Sequence, residues 1–196
     1  MNALPPIIVV LGGPNGAGKT TASERLLGDH LNIAEYVNAD VIARGLSGFD
    51  PERSAIPAAR IMLERIETLA NERANFAFET TLASRSFAPW LRARTDSGYE
   101  LHLFYIWLSS AEAAIARVAS RVRSGGHDIP EDTIRRRYPR GIRNLFDLYM
   151  PIATRWTILN GAGALPTSIS SGGLGSPIEV LDSSAWAELS SRRDDP

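Results

Sequence analysis

Eight consecutive residues, Gly13-Pro14-Asn15-Gly16-Ala17-Gly18-Lys19-Thr20, follow the pattern G-x-x-x-x-G-K-[ST]. Each type has a chemical reason to be there. Glycines let a backbone wrap tightly, with successive N–H groups turned inward to cradle phosphate oxygens. The N-terminus of a following helix adds partial positive charge. A lysine at position 19 could reach the β- and γ-phosphates of a nucleoside triphosphate, and the Thr20 hydroxyl could ligate Mg²⁺. Gly13, Pro14, Asn15, Gly16, Ala17, Gly18, Lys19, Thr20 and Thr21 are therefore the expected binding residues for ATP, with Mg²⁺ on Thr20. Lys19 is the single lysine of the chain, beside 20 arginines.

Such a loop identifies the phosphate but not its fate. Motor and switch ATPases usually carry a hydrophobic strand ending in Asp. The best buried strand here, residues 101–108, runs into Ser109-Ser110. No guanine-reading Asn-Lys-x-Asp can exist without a second lysine. These patterns favour transfer to a hydroxyl, which asks for a carboxylate near the acceptor and for cations over the moving phosphate. Asp40, in Val37-Asn38-Ala39-Asp40, is the first candidate carboxylate; its position equally suits an N-cap for a helix from Val41. Glu79, in Phe78-Glu79-Thr80-Thr81, could hold a substrate hydroxyl or a water on Mg²⁺, or simply cap a turn. Thr80 is a further pocket donor.

The cations are concentrated. Residues 117–143 hold eight arginines against Asp128, Glu131 and Asp132, a local charge of +5 in a chain whose net charge is −1. Arg117 and Arg121 share one helix face; Arg136, Arg140 and Arg143 lie opposite the apolar face of the next helix. Gly125-Gly126 reads as a hinge between them, so 117–143 has the form of an arginine-bearing lid. A solvated face in an arginine-biased protein is the alternative. A nucleic-acid surface is disfavoured because aromatics do not interleave with these charges.

The elements that must position these groups alternate. Strands are expected at 7–11, 36–38, 75–78, 101–108 and 156–159, with helices at 19–27, 52–70, 111–123 and 131–149, the last kinked or split by Pro139. The implied class is α/β: a three-layer sandwich with a central parallel sheet and an Arg-rich helical lid. Residues 1–160 form the core. Residues 161–196 are expected as a Gly/Ser-rich loop, flexible over 161–177, and a short extension of the same domain, with a late strand at 178–181 and a helix at 185–190. The absence of cysteine excludes disulfides, Cys-zinc sites and thiol catalysis. His30, His102 and His127 are too scattered for a His-based metal site. The apolar run 4–11 is too short for a membrane span, so a cytoplasmic protein is expected.

Together, Leu11-Gly12-Gly13-Pro14-Asn15-Gly16-Ala17-Gly18-Lys19-Thr20-Thr21, Val37-Asn38-Ala39-Asp40, Phe76-Ala77-Phe78-Glu79-Thr80-Thr81-Leu82 and Gly125-Gly126-His127-Asp128-Ile129-Pro130 with Arg135-Arg136-Arg137-Tyr138 resemble the zeta toxin family of P-loop kinases over residues 7–159. The resemblance implies ATP- and Mg²⁺-dependent phosphorylation of a sugar hydroxyl of UDP-N-acetylglucosamine, and a protein antitoxin as partner. It makes Asp40 the general base and Lys19 and Thr20 the nucleotide and metal residues. Glu79 would touch the acceptor. Arg121 and Arg136 would stabilise the moving phosphate, with Arg117 and Arg137 next. Where the family usually has Asp-Asn-Ser after the last core strand, this chain has Asn160-Gly161-Ala162-Gly163. A kinase of another small acceptor, an antibiotic or nucleoside, and a nucleotide-binding module with little turnover are the competing readings.

Overall fold

The computed structural model describes residues 4–29, 33–48, 52–126 and 128–194. Within them, strands β1 (Ile7–Gly12), β2 (Glu35–Val37), β3 (Phe76–Thr80), β4 (Glu100–Trp107), β5 (Arg155–Asn160), β6 (Thr167–Gly173) and β7 (Ser176–Val180) form one sheet. The helices are α1 (Lys19–Ser23), α2 (Ala39–Leu46), α3 (Ala55–Asn71), α4 (Phe87–Asp96), α5 (Ala111–Arg123), α6 (Glu131–Asn144) and α7 (Ser183–Ser191). The strand order is β2-β3-β1-β4-β5-β6-β7. The first five strands are parallel. The expected central parallel sheet is therefore present, and β6 and β7 extend it antiparallel.

β1 is the middle one of the five parallel strands, and Val9, Val10 and Leu11 are fully buried, as an apolar run between two helical layers should be. Alternation splits its side chains. Ile8 and Val10 join Met62, Ile66, Leu91 and Ile142 on one face. Val9 and Leu11 pack with Leu27 and Ala77 on the other, where α5 and the start of α6 add Ala114, Val118 and Ile134. The result is three layers, helix–sheet–helix. In such sheets ligands bind outside the carboxyl ends of the strands.

α6 contributes Ile134 to one core cluster and Tyr138 and Ile142 to the other. It therefore passes from face to face beyond the end of β4, where the Tyr138 hydroxyl donates to the Leu108 carbonyl at 2.5 Å. Pro139 lies inside α6 without ending it. Burial of Tyr138 and Ile142 outweighs the roughly 3 kcal/mol that an interior proline costs. α4 escaped the sequence reading because only Ala88 and Leu91 of its ten residues are buried.

The stretch 161–177 is not a loop throughout. β6 begins at Thr167, with Ile169 and Ser170 fully buried. Its glycines are a packing requirement. A Cβ on Gly172 would come within 2.5 Å of the Trp156 ring, and one on Gly173 within 2.1 Å of the Thr154 carbonyl oxygen. Small residues that look like a linker are what this strand needs to cross Trp156. No helix among the described residues is long and apolar enough to cross a membrane.

Candidate active site

β1 delivers the chain into the glycine loop at the carboxyl edge of the sheet. Gly13 has φ +141°, and a Cβ there would meet the Ile106 carbonyl oxygen at 2.4 Å. Gly16, at φ +78°, would likewise meet the Ala114 carbonyl oxygen at 2.8 Å. Neither position accepts a side chain. Gly18 caps α1 at φ +85° with no side-chain hydrogen bond, so the first amides of α1 face outward unclaimed by a cap. Ala17 N–H donates to the Pro14 carbonyl and closes the turn.

Lys19 folds back into this loop. Its Nζ donates to the carbonyls of Gly13 (2.9 Å) and Pro14 (3.0 Å). Burial of the ammonium pushes its pKa below the ordinary lysine value. The Glu79 and Asp40 carboxylates oppose that shift, and the Arg121 and Arg137 guanidinium groups add to it. Asn15 Oδ1 is buried without a partner. A half-buried ammonium between two carboxylates and two arginines, beside an orphaned polar atom and unclaimed amides, fits a phosphate chain.

Asn38, not Asp40, caps α2. Its Oδ1 accepts from the backbone N–H of Asp40 (2.8 Å) and of Val41 (3.3 Å). Asp40 is thereby released from the capping role that its position would also have suited. Its carboxylate lines a cavity of about 400 Å³ together with Lys19, Thr20, Glu79, Arg117 and Arg121. Glu79 reaches this cavity from the end of β3, and its Oε1 accepts the Tyr36 hydroxyl proton. Thr80 does not line it; the Thr80 hydroxyl accepts from Leu82 N–H at 3.1 Å and shapes the turn after β3.

No cluster of three or more His, Cys, Asp or Glu stands ready for a metal among the described residues. That is compatible with Mg²⁺, which commonly takes one or two carboxylates, substrate phosphates and several waters rather than an all-protein cage. Thr20, Asp40 and Glu79 line one cavity and would supply such a set.

The arginines divide by task. Arg135 pairs with Glu112 at 2.5 Å and with Glu131 at 3.8 Å, an exposed latch between α5 and α6. Arg117 donates to the carbonyls of Ala162 (2.9 Å) and Gly163 (3.4 Å), tying α5 to the β5–β6 loop. Arg121 lines the cavity. Neither Arg136 nor Arg137 lines the cavity, and Arg137 is the α6 arginine whose charge bears on Lys19. Burial, and then the neighbouring Arg136, lower the Arg137 pKa, while Asp40 opposes them.

The Gly125-Gly126 pair ends α5. Gly125 has φ +82°, its N–H donates to Val122, and the Gly126 N–H donates to Arg121. This is the left-handed cap that satisfies the last carbonyls of a helix. His127 lies outside the described residues.

A second cavity, of about 670 Å³, lies on the far side of the loop. Ala17, Leu26, Leu159, Gly161, Leu165 and Pro166 line it, and it shares Gly18, Thr21 and Arg117 with the first. The segment after β5, where the sequence departs from the zeta toxin pattern at Asn160-Gly161-Ala162-Gly163, supplies much of its wall.

The pattern of the AAA domain family matches residues 8–138, more than half of the chain. An uncharacterized protein of Haemophilus influenzae is 31% identical over 126 residues, which make up 64% of this chain and 88% of that protein. Among solved structures, the AvrRxo1-ORF1:ORF2 complex superposes with a TM-score of 0.73 at 15% identity, over 97% of this chain and 66% of that one. Its form with ATP gives 0.72 at 14%, over 98% and 65%. A chain of the PezAT chromosomal toxin–antitoxin system of Streptococcus pneumoniae gives 0.69 at 15%, over 100% and 81%. The chain thus spans about two thirds of the AvrRxo1 chain it matches. At these identities the superpositions show a shared fold, that of a P-loop kinase-like domain.

Proposed function

The chain belongs to the AAA domain family, and from that premise we propose that it is an ATP-dependent kinase of a small hydroxylated acceptor, of the zeta toxin kind. One observation carries this reading. Lys19 and Thr20 of the phosphate loop share a single cavity with two carboxylates from other elements, Asp40 at the start of α2 and Glu79 in β3. One carboxylate would suffice to hold Mg²⁺ beside a loop that only binds nucleotide; a second is what an acceptor hydroxyl asks for.

The base and ribose of ATP would occupy the 670 Å³ cavity, and the phosphate chain would cross Gly18 and Thr21 into the smaller one. Lys19 would exchange its two carbonyl partners for phosphate oxygens. Asp40 would accept the proton of the acceptor hydroxyl as that oxygen bonds to the γ-phosphorus and the bond to the β–γ bridging oxygen breaks, releasing ADP. Glu79 would hold the acceptor. Arg121 and Arg137 would balance charge on the moving phosphoryl group. Mg²⁺, when bound, supplies further charge neutralisation on the phosphates; Thr20 with Asp40 or Glu79 would hold it.

UDP-N-acetylglucosamine is the acceptor that the zeta toxin likeness supports. The cavity beside Asp40 favours a second reading. Its roughly 400 Å³ would hold the terminal phosphoryl and a smaller acceptor, such as a nucleoside or an antibiotic, without reaching far into solvent. A protein antitoxin is proposed as partner, since the similar PezAT chain comes from a toxin–antitoxin system. The test is ADP release by the purified chain with ATP, Mg²⁺ and a panel of sugar nucleotides, nucleosides and hydroxylated antibiotics. Acceptor-dependent release is expected. Release with the small acceptors alone selects the second reading, and no acceptor-dependent release with any of them contradicts the kinase.

A further inference from the structure

We propose that Tyr36 is a positioning residue of the acceptor site, fixing the Glu79 carboxylate through a hydrogen-bond chain whose direction starts at the backbone of α2. This rests on the kinase reading for what Glu79 does, but the chain itself is drawn from geometry.

The direction follows from which groups are able to donate. The backbone N–H groups of Asp40 and Val41 can only donate, and both point at the Asn38 side chain. The oxygen of that amide must face them. Its nitrogen then faces Tyr36, 3.2 Å from the hydroxyl, and can only donate there. The Tyr36 oxygen is therefore an acceptor toward Asn38, and its one proton goes to Glu79 Oε1. Burial, and then the Glu79 carboxylate, hold the phenol well above its ordinary pKa, so it stays a donor.

Two consequences follow for the site. Oε1 of Glu79 is committed as an acceptor of the tyrosine proton, which leaves Oε2 for a ligand. The cap that places Asp40 also orients the group that places Glu79, so the two carboxylates hold a fixed relation although they arrive on α2 and β3. Asp40 carries no comparable tyrosine partner among the described residues. The same pair of residue types is thus set up for two tasks: one carboxylate held in place, the other available to a proton.

Tyr36→Phe deletes the hydroxyl and keeps the ring. Acceptor KM should rise about tenfold, the usual cost of losing a hydrogen bond to a charged group, while ATP affinity stays within about twofold. In a Glu79→Gln background the same change should add less than about twofold, because Tyr36 acts through Glu79. An equal rise in both backgrounds, or none in the parent, overturns the proposal. The ligand-free protein gives a readout that needs no turnover. The Glu79 side-chain carboxyl ¹³C resonance, identified by its loss in Glu79→Gln, should move in Tyr36→Phe. It should stay put in Tyr99→Phe, whose hydroxyl donates to backbone carbonyls at the opposite end of the sheet. If no acceptor is turned over, the kinase reading fails; the resonance still decides the Tyr36 link, and an unmoved signal overturns it.

Discussion

Two cavities meet at Gly18, Thr21 and Arg117, and they are made of different materials. The larger is walled mainly by Ala17, Leu26, Leu159, Leu165 and Pro166, with Arg25, Thr167 and Ser168 as its own polar members. The smaller is lined by Lys19, Thr20, Asp40, Glu79 and Arg121. A flat apolar group can be held by many combinations of small residues, so the first wall is chemically anonymous. Phosphoryl transfer tolerates few substitutions, because charge must be balanced and a proton accepted at fixed places. Changes on the two sides should therefore separate into affinity effects and rate effects.

The largest separation tests the charged side. Arg137→Ala should lower kcat about 10²-fold, the scale of removing one group that stabilises developing charge. Arg136→Ala should stay within about threefold, because its charge acts on Arg137 rather than on Lys19. Steady-state rates of the two variants at saturating ATP check this, and equal losses would break the assignment of the two arginines. A smaller effect is expected on the apolar side. Leu165 is 61% exposed at the lip of the larger cavity, so truncating it leaves the core alone. Leu165→Ala should raise the ATP KM about fivefold with kcat unchanged. A fall in kcat instead would mean that the two cavities do not divide the work.

How much of this could be read from the sequence follows the same division. The glycine loop was legible because each position has a steric reason: no side chain fits at Gly13 or Gly16. Asp40 and Glu79 were legible as carboxylates at the ends of short strands beside a phosphate loop. Which arginine faces the site was not. Arg135, Arg136 and Arg137 are consecutive, about 100° apart around α6, and the choice depends on how the helix is rotated. Burial of Ile134, Tyr138 and Ile142 and the Tyr138–Leu108 bond set that rotation, all of them tertiary contacts. The glycines of 125–126 and 172–173 look alike in composition. One pair ends a helix and the other lies against Trp156 and Thr154, a difference that only neighbours define. Asn38 and Asp40 are both good caps by type; the structure gives the role to Asn38. Tyr36 gave no signal beyond a weak strand, because its function lies in one hydroxyl directed at a residue 43 positions away.

The central claim is that the nucleotide is held on one side of the loop while Asp40 serves transfer on the other. Asp40→Asn tests it with two readings on one protein: ATP affinity by titration and acceptor-dependent ADP release. The account predicts ATP affinity within about threefold of the parent and a loss of release of about 10²–10⁴-fold, the range for a positioned general base. Retained release, or ATP affinity lost in step with it, would contradict the account.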